Sequence, residues 1–199
     1  MTGTPTSADL VPQLVDQLDF IWSNQARARL EGLTDEEYLW EPVPDCLSVR
    51  HRDEAAPGLV TLRVGGGDWL CDWAHPEPDP APVTTIAWRL AHVIVGVLGA
   101  RAHAHFGGPP CDYQSWVYAG SADDALAQLD AAYDAWSSGV RGLTAETLAR
   151  PVGPAEGPWQ DHPMLTLVLH VNREVIHHLA EVALLRDLWL RLGQEGSVH

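Results

Sequence analysis

The sequence lacks the features that mark several large functional classes. It has no cluster of basic residues, and its formal charge of −15 repels phosphate backbones, which argues against nucleic acid as a partner. No apolar run approaches the roughly 20 residues needed to span a bilayer, so no membrane partner is expected. The first residues show no basic segment followed by an apolar one, so no export signal is read there. Cys46, Cys71 and Cys111 are odd in number, widely spaced and free of any Cys-x-x-Cys pattern. That usage fits a reducing cytoplasm, the location we expect, better than a disulfide framework. No internal repeat at a fixed period is present.

What is present suits a single soluble domain. A chain of 199 residues with a 46% hydrophobic share can bury one substantial core, spanning about residues 10–192. Leu10, Leu14, Leu18, Ile21, Trp22 and Leu30 mark a first amphipathic helix over residues 9–33, with Ser7 or Asp9 as its cap and Gly32 at its end. Thr34 and Glu37 form a capping-box pattern for a short helix that stops before Pro42. From 41 to 83, prolines and the Gly65-Gly66-Gly67 run preclude a long helix, and residues 59–64 read as a short strand or hairpin arm. Further long helices follow at 84–106, 122–140 and 163–192, with a small capped turn at Thr144 between the last two. The fold class expected is all-α, a four-helix bundle with a long wrapped loop between its first two helices.

One constellation could carry chemistry. His170, Glu174 and His178 lie four residues apart on the last helix, so they share one face. Imidazole and carboxylate so placed can reach one cation, but three ligands on one straight helix splay too far. A ligand from another helix is required, and His92, on the apolar second helix, is the best donor. Taken alone, His92 would more often be a satisfied core histidine than a ligand, and Glu174 could pair with Arg173 or Arg186 at the surface. His170 could replace a ligand or support one. His103 and His105 suit the end of the second helix without a metal. Nine tryptophans are unusual, and most are read as core or pocket wall.

Three segments resemble the DinB-like superfamily: Gly32 to Pro44, Pro82 to His92 and Asn172 to Asp187. The branch is that of mycothiol-dependent maleylpyruvate isomerases and related thiol S-transferases, and the resemblance covers nearly the whole chain. It implies an antiparallel four-helix bundle with a long crossover, holding a metal through one residue of the second helix and two of the fourth. His92, Glu174 and His178 match those positions. Other members use three histidines, so Glu174 leans the chain toward the mycothiol-using branch. The resemblance thus implies a divalent metal, with zinc expected and nickel, manganese or iron as alternatives. The metal would activate mycothiol or another low-molecular-weight thiol toward a small-molecule electrophile, by S-transfer or thiol-dependent isomerisation. Trp88, Trp40, Trp69 and Trp73 are candidate pocket walls, and Arg89 a candidate anion contact. The competing readings are a non-catalytic metal- or small-ligand-binding protein, and a metal-dependent hydrolase with His170 or Glu181 as base. The sequence leaves the oligomeric state open between a monomer and a homodimer, since bundles with apolar outer faces often pair.

Overall fold

The computed structural model describes residues 10–193. The fold is mostly helical with one small sheet. Helix α1 (Leu10–Ile21) continues through a π-helical turn, Trp22–Ala26, and a 3-10 turn, Ala28–Leu30. It stops where Gly32 adopts the left-handed φ of +68°. The expected caps Ser7 and Asp9 lie outside the described residues. Helix α2 (Asp35–Tyr38) is capped by Thr34, whose side chain accepts from the Glu37 N–H. Glu37 does not reach back to close a capping box. It accepts instead from Arg186 at 2.6 and 3.0 Å, which ties α2 to the last helix.

The stretch expected as a wrapped loop is more ordered than its prolines suggest, and all-α is corrected to mostly helical. Strands β1 (Val49–His51), β2 (Leu62–Val64) and β3 (Trp69–Trp73) form an antiparallel sheet in the order β1-β3-β2. Only the C-terminal half of the expected 59–64 strand forms; Val49 pairs with Cys71 and Leu62 with Trp73. Asp72, fully buried on the central strand, accepts from the Ser48 N–H at 3.2 Å and from Arg50 Nε at 2.8 Å. Its carbonyl accepts from Trp88 Nε1 at 2.8 Å, so the sheet is fastened to the next helix through one residue.

That helix runs in three parts. Thr85 caps α3 (Ile86–Ala91) by accepting from the Trp88 N–H, and a π-helical stretch, His92–Gly99, leads into α4 (Ala100–Phe106). Gly107, with φ +71°, ends it. Ser121 caps α5 (Ala122–Arg141). Helix α6 (Ala145–Ala149) has a capping box between Thr144 and Thr147. A 3-10 turn, Pro154–Trp159, precedes α7 (Met164–Leu188), which ends in a π-helical turn at Trp189–Gly193.

The core lies where α1, α5, α7 and the rod formed by α3, the π-helical stretch and α4 pack together. Leu90, Ile94, Leu98, Leu129, Trp136 and Val168 are all less than 2% exposed. Each such aliphatic side chain contributes about 1.5–3 kcal/mol by leaving water. Buried Asn172 donates to the Leu14 carbonyl at 2.9 Å, locking α7 to α1. No described helix is long and apolar enough to cross a membrane.

Candidate metal centre

His92 sits at the junction where α3 gives way to the π-helical stretch. Wide turns of this kind recur at functional sites, because they re-aim side chains that a regular helix would place elsewhere. The His92 ring stacks on Trp88, one turn earlier, at 5.5 Å between centroids. Burial, with the neighbouring His178 adding to it, pushes the His92 pKa down to about 4. The imidazole is therefore neutral at pH 7, the state a metal ligand requires.

Its Nδ1 lies 3.0 Å from the Tyr113 hydroxyl, which leaves Nε2 for a ligand role. The approach depends on Gly96. A Cβ at that position would fall 1.7 Å from the Tyr113 hydroxyl oxygen and 3.3 Å from His92 Nδ1, so any side chain there would expel the tyrosine. Neither Gly96 nor Tyr113 figured in the sequence reading. A glycine inside an apolar helical run, costing roughly 1 kcal/mol against alanine, was the one available signal.

The other two residues come from α7. His178 Nε2 lies 3.4 Å from Glu174 Oε2, as the four-residue spacing requires. Across the helix interface the His92 and His178 rings meet edge to face at 4.8 Å. One ligand atom from each of His92, Glu174 and His178 falls within 4.8 Å of the others.

Each of the three is steadied from outside. His178 Nδ1 is 2.8 Å from Glu181 Oε2, which in turn receives Arg89 Nη1 at 3.2 Å. Arg89 Nη1 and His178 Nδ1 are also 3.3 Å apart. An arginine cannot accept, so we take these as two donors sharing the Glu181 oxygen, which fixes the proton on Nδ1 and frees Nε2. Glu174 Oε1 lies 3.5 Å from His170 Nδ1 and 3.6 Å from Arg173 Nε, leaving Oε2 turned toward His178. A second grouping, His177 with His178 and Glu181, is equally close. It spends His178 Nδ1 on a hydrogen bond and relies on a largely exposed His177, so it belongs to the outer support.

The other expected residues divide. Trp88 and Trp73 meet edge to face at 5.5 Å, and Trp73 meets Tyr113 at 5.2 Å, forming an aromatic wall beside His92. Trp40 packs on Trp189, eleven residues beyond His178 on the last helix, and Trp69 packs against His51 and Gly120. Both stand apart from the cluster. Arg89, expected as an anion contact, is engaged by Glu181. Two imidazoles and a carboxylate fit a divalent metal with open positions left for exogenous ligands.

A family model described as the DinB superfamily matches residues 17–182, a span that contains all three clustered residues. No curated protein and no solved structure matches the chain.

Proposed function

Because this chain belongs to the DinB superfamily, which includes metal-binding members, we propose that His92, Glu174 and His178 hold one divalent metal ion used to activate a low-molecular-weight thiol. The observation that carries the metal reading is the convergence of three donors from two helices, each steadied by an outer partner. Zinc suits this donor set best, with nickel, manganese and iron as alternatives. We read the four long helical segments as the antiparallel bundle of this superfamily, in a reducing cytoplasmic setting.

Such a metal supplies Lewis acidity, which lowers the pKa of an incoming thiol. The chain supplies position and enclosure. Tyr113 holds the His92 ring, Glu181 and Arg89 hold His178, and the Trp73–Trp88 wall limits water. In the proposed reaction, sulfur forms a bond to an electrophilic carbon of a small molecule. In a displacement the carbon's bond to its leaving group breaks, that group departs with the electron pair and the thiol proton goes to solvent. In an addition the carbon–carbon π bond breaks and the proton goes to the adjacent carbon. Mycothiol is the thiol we favour, in S-transfer or thiol-dependent isomerisation.

The protein's own sulfur supports an external nucleophile. Cys46, Cys71 and Cys111 are free and buried, and burial raises all three thiols, Cys111 to about 11. None offers a ready thiolate. The hydrolytic alternative has less support. Glu181 is occupied by His178 and Arg89, and His170 Nδ1 accepts from Arg173 at 2.8 Å.

The test is elemental analysis of tag-free protein purified without added metal, with His178→Ala alongside. About one metal ion per chain is expected in the wild type and far less in the variant. A folded wild type that neither carries nor takes up a metal would refute the proposal. Metal without turnover of any electrophile, with mycothiol present, would reduce it to a non-catalytic metal-binding protein.

A further inference from the structure

Beside Glu174 lies a cavity of about 490 Å³, between α4, the Pro154–Trp159 turn and the N-terminal half of α7. That volume is in the range that holds small molecules. Its lining includes Arg101, Arg173, Glu156, His170, Trp159 and Leu169.

The two arginines are unusual in this molecule. The chain carries 27 acidic against 12 basic side chains, so a guanidinium should find a carboxylate easily. Of the eleven arginines in the described ion pairs, which do not include Arg191 near the end of the last helix, nine have a carboxylate oxygen within 3.4 Å. The exceptions are Arg101, 3.7 Å from Glu156, and Arg173, 3.6 Å from Glu174, and both line this cavity.

Their other contacts do not make up the deficit. Arg101 Nε is buried with no hydrogen-bond partner among the described residues. Glu156 is shared, since its other oxygen takes His105 Nε2 at 2.9 Å. Arg173 has its short contact, 2.8 Å, with His170 Nδ1, a neutral acceptor. A buried donor without an acceptor is costly, and its usual explanation is a ligand or ion. The walls are suited to one. Trp159 is 65% exposed and Leu169 47% exposed, so apolar surface stands uncovered beside the two cations.

We infer that this cavity seats the carboxylate of a small organic acid with an aromatic or branched apolar body. Glu156 and Glu174 offset the two guanidinium charges, so the surplus here is in unmet N–H donors and not in net charge, which suits a monoanion better than a phosphate dianion. A planar guanidinium also matches a carboxylate in two hydrogen bonds. The acid would sit against His170 and Arg173, both of which contact Glu174. Its role as the electrophilic substrate rests on the metal-dependent reading above, whereas its binding does not.

Calorimetric titration with benzoate and with its neutral counterpart benzamide tests the inference on protein as purified. Benzoate should bind at least about tenfold more tightly than benzamide, and Arg101→Gln or Arg173→Gln should each remove about tenfold of that affinity. Arg173 is mostly exposed, so its variant decides the matter if Arg101→Gln fails to fold. His92→Ala should leave benzoate affinity unchanged while losing metal. Equal binding of the two probes, or an Arg173→Gln affinity equal to wild type, would overturn the subsite. So would loss of benzoate binding in His92→Ala, because the anion would then be sitting on the metal. Metal present with no preference for benzoate sinks the subsite alone. Arginine-dependent benzoate binding without metal sinks the metal reading alone.

Discussion

Tyr113 and Gly96 act on His92 together, one by supplying a hydroxyl and the other by making room for it. Tyr113→Phe keeps the ring against Trp73 and removes only the contact to Nδ1. Outer partners of metal-bound histidines typically contribute 10–100-fold to affinity, and competition with a chelator should show a loss of about that size. Gly96→Ala should do more harm, because its methyl group displaces the tyrosine. His92 also predicts a pH dependence for metal-free protein. Its pKa is 6.5 when unfolded and about 4 when folded, so between those values the unfolded chain binds the extra proton. Stability should therefore fall as pH drops through that window, by up to about 3 kcal/mol from this group. Urea unfolding of chelated protein would show it, and His92→Gln should flatten the slope. At this scale the sequence was half legible. Glu174 and His178 are neighbours because a helix makes them so, whereas Tyr113 reaches His92 through a Pro/Gly-rich connection that no spacing rule describes.

The helical elements were readable because their caps and stripes are local. Thr85, Ser121 and Thr144 each cap the helix that follows. The π-helical widening at His92 was not readable, since an apolar run looks the same whether its turns are regular or wide. Of the sheet only β2 was partly readable, within residues 59–64, and the rest was hidden for a different reason. Its strands are three to five residues long, and Asp72 places a charge at a buried position where alternation calls for an apolar one. Thr85 links these elements: its hydroxyl accepts from the Trp88 N–H at 3.2 Å and lies 2.9 Å from the Ser48 hydroxyl, fully buried. Thr85→Ala should cost about 1–2 kcal/mol in chemical denaturation, and Thr85→Ser much less. If alanine were neutral, the cap would not be what sets the start of the helix bearing His92.

Taken whole, the molecule is an acidic shell held by arginine ties between distant segments. Arg27 bridges to Asp130 at 2.7 Å and Arg186 to Glu37 at 2.6 Å, and neither pairing could be foreseen from sequence. The burial of Cys46, Cys71 and Cys111, at 0, 1 and 8% exposure, has a consequence at this scale. The chain also contains no lysine. A protein proposed to handle reactive carbon compounds thus shows them almost no amine or thiol of its own, and would be spared alkylation by what it processes. Intact-mass measurement after iodoacetamide should find the native protein's cysteines unmodified and all three labelled in urea. Rapid labelling of the native protein would show that this chemical self-immunity is absent.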